Sequence, residues 1–208
     1  MASSSWCFPV TIDVDVYGQM DYDMAKKLAK IENPKAIIFV DLYGRISDDA
    51  DMFNGLVNHT IEDACQALGT PGAGSHADIG CYSMYASKIM TTGLGGACVT
   101  KDESLNHSLK KMRNHGLSKG QCVRPGRNLI MGEMNAAIGT AQLERLPENI
   151  RIRQNNMYCL GLESDTNGYM GTILHHKRDQ IKSYLETRGI QCGTYYDTPI
   201  HHYSVCGS

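Results

Sequence analysis

Ser83-Met-Tyr-Ala-Ser-Lys88-Ile-Met-Thr-Thr-Gly-Leu-Gly-Gly96 is the stretch on which the reading of this chain turns. It continues a short apolar run, Ile79 to Met84, and leads into another, Ala97 to Thr100. A lysine and a glycine-rich turn therefore stand between two predicted strands. Some way upstream a further predicted strand ends in Ile61-Glu62-Asp63-Ala64-Cys65-Gln66. One strand end offers a carboxylate and the next an amine. In a parallel sheet ligands gather at the carboxyl ends of strands, which is where Asp63 and the approach to Lys88 fall.

Working outward, strand-like and helix-like stretches alternate. Asp23 is expected to cap a helix whose apolar positions Met24, Leu28 and Ile31 recur at helical spacing. Ala36-Ile-Ile-Phe-Val-Asp-Leu42 is a continuous apolar run, the pattern of a strand covered on both faces. Ser47 to His59 reads as a helix leading to the strand that stops at Glu62, and Asp102 to His115 as a charged helix ended by Gly116. Met134, Ala137, Ile138 and Ala141 mark another helix, which Pro147 is expected to end or kink before Ile150 to Leu162 resumes it. Arg178 to Arg188 predicts a last helix, closed by Gly189, and Gln191 to Tyr195 a last strand. The alternation predicts an α/β layer fold with a largely parallel sheet flanked by helices.

Composition narrows the partners. A chain of 208 residues suffices for one good-sized core, or one domain and part of a second. A formal net charge of -2 provides no basic field for nucleic acid. No apolar run approaches the ~18 residues of a membrane span, and the start, Met1 to Cys7, lacks the basic and apolar regions of a signal peptide. Eight scattered cysteines without a Cys-x-x-Cys pair read as reduced thiols in a cytosolic chain. The pairs His175-His176 and His201-His202, with Cys206 nearby, lack an acid at ligand spacing, so no metal is expected.

The lysine and the carboxylate suit one cofactor chemistry. Pyridoxal 5'-phosphate needs an amine for its aldehyde, a carboxylate for its ring nitrogen and donors for its phosphate. Lys88 has the amine for a Schiff base and for moving a proton once displaced. Asp63 can keep the ring nitrogen protonated, because an ion pair favours both charged forms. Ser83 and backbone N–H groups near the glycine-rich turn can hold the phosphate, and Gln66 can donate to a ring oxygen. Each residue also has a commoner role: Lys88 as a solvated amine, Asp63 as a helix cap, Ser83 as an ordinary strand hydroxyl.

Resemblance adds to this. From about Ile12 to His201 the chain resembles the DegT/StrS family of pyridoxal-phosphate-dependent nucleotide-sugar aminotransferases. The matching motifs are Asp13-Val-Asp15, Leu42-Tyr-Gly44, Glu62-Asp-Ala-Cys-Gln66, Ser83 to Lys88, Thr91-Thr-Gly-Leu-Gly-Gly96 and Arg113-Asn-His-Gly116. Asn128 to Met131 with Ala136-Ala137, Gln142-Leu-Glu-Arg-Leu146 and Pro199-Ile-His201 complete them. The resemblance implies the aspartate-aminotransferase fold (fold type I), with a partial large cofactor-binding domain over 1–146 and a partial small C-terminal domain over 147–208. It implies that Lys88 carries the cofactor, Asp63 pairs with its ring nitrogen, Gln66 contacts its ring hydroxyl and Ser83 binds its phosphate. Asn128 would reach across a homodimer interface toward the neighbour's phosphate, and His201 would face substrate. The implied reaction moves an amino group from glutamate to a nucleotide-linked keto-sugar, in polysaccharide biosynthesis. A dehydrating branch of the family carries histidine where this chain has Lys88.

The departures are also informative. Family chains are longer, and their front supplies a Gly-Thr phosphate loop and an aromatic ring that stacks on the cofactor. Leu94 stands where Glu is usual, Ile130 where a basic residue is common, and Asp41 where histidine is frequent. Between Leu162 and Arg178 the chain is shorter than the family's. These differences suit a truncated enzyme, one part of a split enzyme completed by a separate chain, or an inactive relic that keeps the fold and dimer interface. A sheet lacking one flank exposes an edge and apolar surface, so the isolated chain is expected to be oligomeric or poorly soluble.

Overall fold

The computed structural model describes residues 9–162 and 165–203. They divide into two compact units, one spanning Val14–Thr172 and the other formed by the chain's two ends. Met1 to Cys7, including the expected absence of a leader, and Cys206 lie outside the described residues.

In the larger unit, helix α1 (Tyr22–Glu32) opens the fold. Its cap is Asp21 rather than Asp23: the Asp21 carboxylate accepts from the Met24 N–H at 2.8 Å. Asp23 instead stands in the first turn, where a negative charge meets the positive end of the helix dipole. Strand β1 (Ala36–Val40) follows, then β2 (His59–Asp63), β3 (Ile79–Ser83) and β4 (Gly96–Val99). They form one sheet in the order β1-β2-β3-β4, parallel across the first two pairings and antiparallel in the third. The fold is thus the expected mixed, mostly parallel α/β type.

Parallel pairing sets Phe39 beside Glu62, and Val40, Asp63 and Cys81 in one row. Side chains alternate along a strand, so Ile37, Phe39, Thr60 and Glu62 share one face, while Ile38, Val40, Ile61, Asp63, Cys81 and Ser83 share the other. The first face is buried. Phe39 stacks on Phe53 with ring centroids 4.9 Å apart, and Tyr22 meets Phe53 edge-on at 5.7 Å. The second face is open at β1: Ile38 is 58% exposed and Val40 36%. The expectation that this strand is covered on both sides is therefore corrected. Among the described residues nothing packs over Ile38, although its sequence is as apolar as that of a central strand.

Two helix expectations also change. Ser47 to His59 forms only a short 3-10 turn, Ala50–Gly55, between bends. Short polar side chains there bond the backbone and one another: Ser47 Oγ accepts from Asp49 N, and Thr60 Oγ1 donates to Asn54 Oδ1. Helix α2 (Glu103–Arg113) is capped by Asp102 and stops, as anticipated, before Gly116, whose φ is +77°. A tight hairpin, β5 (Leu117–Ser118) and β6 (Gln121–Cys122), follows. Helix α3 (Glu133–Cys159) then runs unbroken through Pro147. Proline removes one ladder donor, but Leu146 and Met157 are buried on either side of it, and that packing carries the helix through.

In the smaller unit, helix α4 (Arg178–Glu186) is closed by Gly189, at φ +74°. Gln191 to Tyr195 is not a strand, since among the described residues of this unit no strand stands beside it to pair with.

Two outcomes follow. Phe53→Ala removes a fully buried ring from between Phe39 and Tyr22, and should cost about 3–5 kcal/mol, read as a lowered urea midpoint. The open apolar face should make the isolated chain self-associate, so sizing chromatography should return a mass above that of one chain; a well-behaved monomer contradicts this.

Candidate active site

The parallel strands end in step, and the residues singled out in sequence gather at that edge. Asp63 is the last residue of β2, half-buried, with its Oδ1 accepting from Cys65 N at 3.1 Å. The carbonyl of Asp63 accepts from Asp41 N at 3.1 Å, which ties the ends of β1 and β2 together. Ser83 closes β3, opposite Gly96 in β4, and its Oγ accepts from Tyr85 N at 3.3 Å. That leaves the hydroxyl proton of Ser83 available to a ligand.

Lys88 lies in a loop pinned at its base. Met84 O accepts from Thr92 N at 3.0 Å, Met84 N donates to Gly95 O at 2.9 Å, and Lys88 N donates to Tyr85 O at 3.0 Å. Ile89 and Met90, immediately after the lysine, are buried together with Leu146 of α3. Two apolar neighbours thus anchor the backbone while the lysine side chain stays half-buried. Gly95 fits tightly inside this loop, where a Cβ would overlap Thr92 Oγ1.

Asp63 and Lys88 act on the same sulfur. Burial pushes the Cys65 thiol up to about 12, helped by the hydrogen bond and charge of Asp63, while the Lys88 ammonium pulls it down. An amine and a carboxylate therefore lie within electrostatic reach of one atom. Cys81 is pushed up to about 11, first by burial and then by Cys98, whose sulfur is 4.0 Å away across the β3–β4 pair.

Gln66 is oriented by the backbone. Its Oε1 accepts from Tyr43 N at 2.8 Å, so its amide nitrogen is the end left to donate. This bond holds the Leu42-Tyr-Gly44 turn, in which Tyr43 takes φ +61° and Gly44 φ +88°. A side chain at Gly44 would strike Asn167 Oδ1. An amine, a carboxylate, an amide donor and a hydroxyl donor at one sheet edge are the groups that pyridoxal phosphate requires on its aldehyde, ring nitrogen, ring hydroxyl and phosphate. On this donor set the residues present fit that cofactor.

Asn128 is exposed, bridged to Asn114 alongside the end of α2, and is not hydrogen-bonded to Asp63, Gln66, Ser83 or Lys88. His201 belongs to the smaller unit, exposed in a 3-10 turn, with its ring 4.3 Å from that of His202. Among the described residues no group of three His, Cys, Asp or Glu side chains could hold a metal.

Two residues escaped the sequence reading. Tyr169 lies under Lys88, whose Nζ is 5.1 Å from the ring centroid. Asn167 is fully buried, and its Nδ2 donates to Gln66 O at 2.8 Å and Leu68 O at 2.9 Å. The Asn167-Gly168 pair signals a turn in sequence, but nothing local says what that turn docks against.

A sequence pattern of the DegT/DnrJ/EryC1/StrS aminotransferase family matches residues 1–168. The chain belongs to that family. It is 34% identical to a UDP-N-acetyl-3-dehydro-alpha-D-glucosamine 3-aminotransferase of Acidithiobacillus ferrooxidans, over 93% of this chain and 58% of the relative. It is 35% identical to the GDP-perosamine synthase of Caulobacter vibrioides, over 70% and 42%. In three dimensions it is similar to Helicobacter pylori PseC, an aminotransferase of pseudoaminic acid biosynthesis. There the TM-score is 0.79 at 26% identity, covering 95% of this chain and 62% of that one. This DegT-family chain spans about half the length of the curated relatives it matches.

Asp41 stands one residue beyond β1, at the same strand ends as Asp63. It is fully buried, and neither carboxyl oxygen has a hydrogen-bond donor facing it. Its neighbour is Glu62, also fully buried, whose two oxygens accept from Gly74 N and His76 N. Two carboxyls bond each other only if one keeps its proton, and that one is Asp41. Burial, then the hydrogen bond and charge of Glu62, and then Asp63, push it up to about 9. Unfolded, the same group releases its proton near 3.8. Folding therefore takes up a proton between these limits. The stability this group contributes is fully present below 3.8, declines as pH rises, and levels off above about 9. Asp41→Asn keeps a donor toward Glu62 without the proton. Urea midpoints at pH 6, 7 and 8 should show wild type losing up to about 1.4 kcal/mol per pH unit relative to the variant. Parallel pH profiles would refute the neutral acid.

Proposed function

We propose that the chain is a pyridoxal-phosphate-dependent aminotransferase that moves an amino group from glutamate to a nucleotide-linked keto-sugar, in the cytoplasm and as a homodimer. The observation that carries the reading is that the Asp63 carboxylate, at the carboxyl end of a parallel strand, and the Lys88 amine both act on Cys65. When bound, the cofactor supplies a protonated ring that accepts the electron pair left behind as a substrate carbon loses its proton.

This chain's own groups then have distinct tasks. Lys88 Nζ would hold the cofactor covalently and, when not so engaged, would take the proton from the substrate carbon that bears the nitrogen or return one to it. Asp63 would keep the ring nitrogen protonated, Gln66 would donate to the ring hydroxyl, and Ser83 would donate to the phosphate. Asn128 serves the neighbouring subunit's phosphate, and His201 faces substrate. A lysine rather than a histidine at position 88 favours amino transfer over dehydration.

A second reading rests on the open face at Ile38 and Val40. On it, the chain is one part of a split enzyme, completed by a separate chain over that face, or an inactive relic. The two readings separate in one experiment. With pyridoxal phosphate added, wild type should gain an absorbance band near the visible edge that Lys88→Ala lacks, and glutamate should convert it to the pyridoxamine form. A band that glutamate leaves unchanged sinks the transfer claim, and no band in either protein supports the relic.

A further inference from the structure

We infer that Tyr169 is a positioning residue for Lys88, set in place by Asn167; this deepens the proposed role of Lys88 and can be tested without cofactor. The lysine backbone is fixed by its bond to Tyr85 O and by the burial of Ile89 and Met90. The side chain is a different matter, because a four-carbon stem has many rotamers. Among the described residues Lys88 makes no ion pair that would select one of them. Its charged end instead meets the face of Tyr169, at 5.1 Å from the ring centroid. That is within the ~6 Å at which a ring quadrupole attracts an ammonium. A ring holds the amine without the tight pairing that a carboxylate would impose on it.

The placement of Tyr169 is over-determined. It follows α3 in a segment bonded to the rest of the larger unit at three points. Arg45 pairs with Asp165 at 3.4 Å, Gln154 Nε2 donates to Thr166 O at 2.7 Å, and Asn167 donates to Gln66 O and Leu68 O. Asn167 Oδ1 in turn accepts from Tyr169 N at 2.9 Å. The ring rests on the cluster of Ile89, Met90 and Leu146. One buried amide therefore joins the turn that follows Asp63 to the ring that meets Lys88. The spacing between the carboxylate's turn and the amine is set through Asn167 rather than through the sheet alone. An aromatic filling a gap would share the burial, but it would have no effect on the amine's reactivity.

The test is acetylation of the full chain by limiting acetic anhydride without added cofactor, with modification at each lysine read by peptide mass spectrometry. Lys101 and Lys119 serve as internal references. Tyr169→Leu should raise acetylation of Lys88 about two- to fivefold, the factor corresponding to loss of one exposed-to-partly-buried cation–π contact. Tyr169→Phe should match wild type, and Tyr169→Trp should lower the value, because indole attracts cations more strongly. Equal values for wild type and Tyr169→Leu overturn the inference. So does a Phe variant that behaves like the Leu variant, since the hydroxyl and not the ring would then be responsible. If circular dichroism shows Tyr169→Leu unfolded, the Trp variant decides, and no decrease there overturns the inference. Failure of pyridoxal phosphate to react at Lys88 in the unaltered chain would sink the proposed function and leave this comparison standing.

Discussion

Three parallel strands that stop at one edge are the constraint on which the rest depends. Their register puts Val40, Asp63 and Cys81 in a single row, and every group of the site is placed relative to that row. Asp63 is in it, Cys65 and Gln66 are in the turn that leaves it, and Ser83 is two residues beyond it on the same face. A slip of one residue in β2 would send Asp63 into the core and bring Glu62 out. The consequence would extend past the site, because Glu62 anchors the turn at Gly74 and His76 and its hydrogen bond and charge help keep Asp41 protonated. The two acids of Glu62-Asp63 have opposite duties only because side chains alternate along a strand.

What could be read in advance follows from the range of each interaction. The strand ends, read to within a residue at Glu62 and Met84, and the helix stops at Gly116 and Gly189 are local, encoded by a few neighbouring residues. The family motifs carried the identity of Lys88 and Gln66. The parts that sequence did not disclose are joined over long separations. Asn167 bonds carbonyls about a hundred residues earlier in the chain, and no pattern near it announces that partner. Asp41 was noticed as an odd substitution, but its protonation depends on Glu62 in another strand.

The misreadings have the same origin. Ile38 and Val40 are apolar enough for a central strand, yet hydrophobicity records what a face is suited to bury and not what lies over it. Pro147 carries a strong local signal to stop, overridden because Leu146 and Met157 gain more from one continuous helix than the lost bond costs. Ser47 to His59 failed in the opposite sense: the expected helix gives way where the Ser47 hydroxyl takes a backbone N–H and Asn54 bonds the Thr60 side chain.

The uncovered side of β1 is the side that bears Asp63. Water beside that face supplies a high dielectric, in which a carboxylate and a cation a few ångströms apart attract by only about 1 kcal/mol, against several at the effective values near a protein surface. Any polypeptide laid over Ile38 and Val40 would thus do more than shield two greasy residues. By drying the neighbourhood it would strengthen the acid's hold on a positive ring nitrogen. On the proposed function, cofactor affinity and chain association would then be coupled through the solvent.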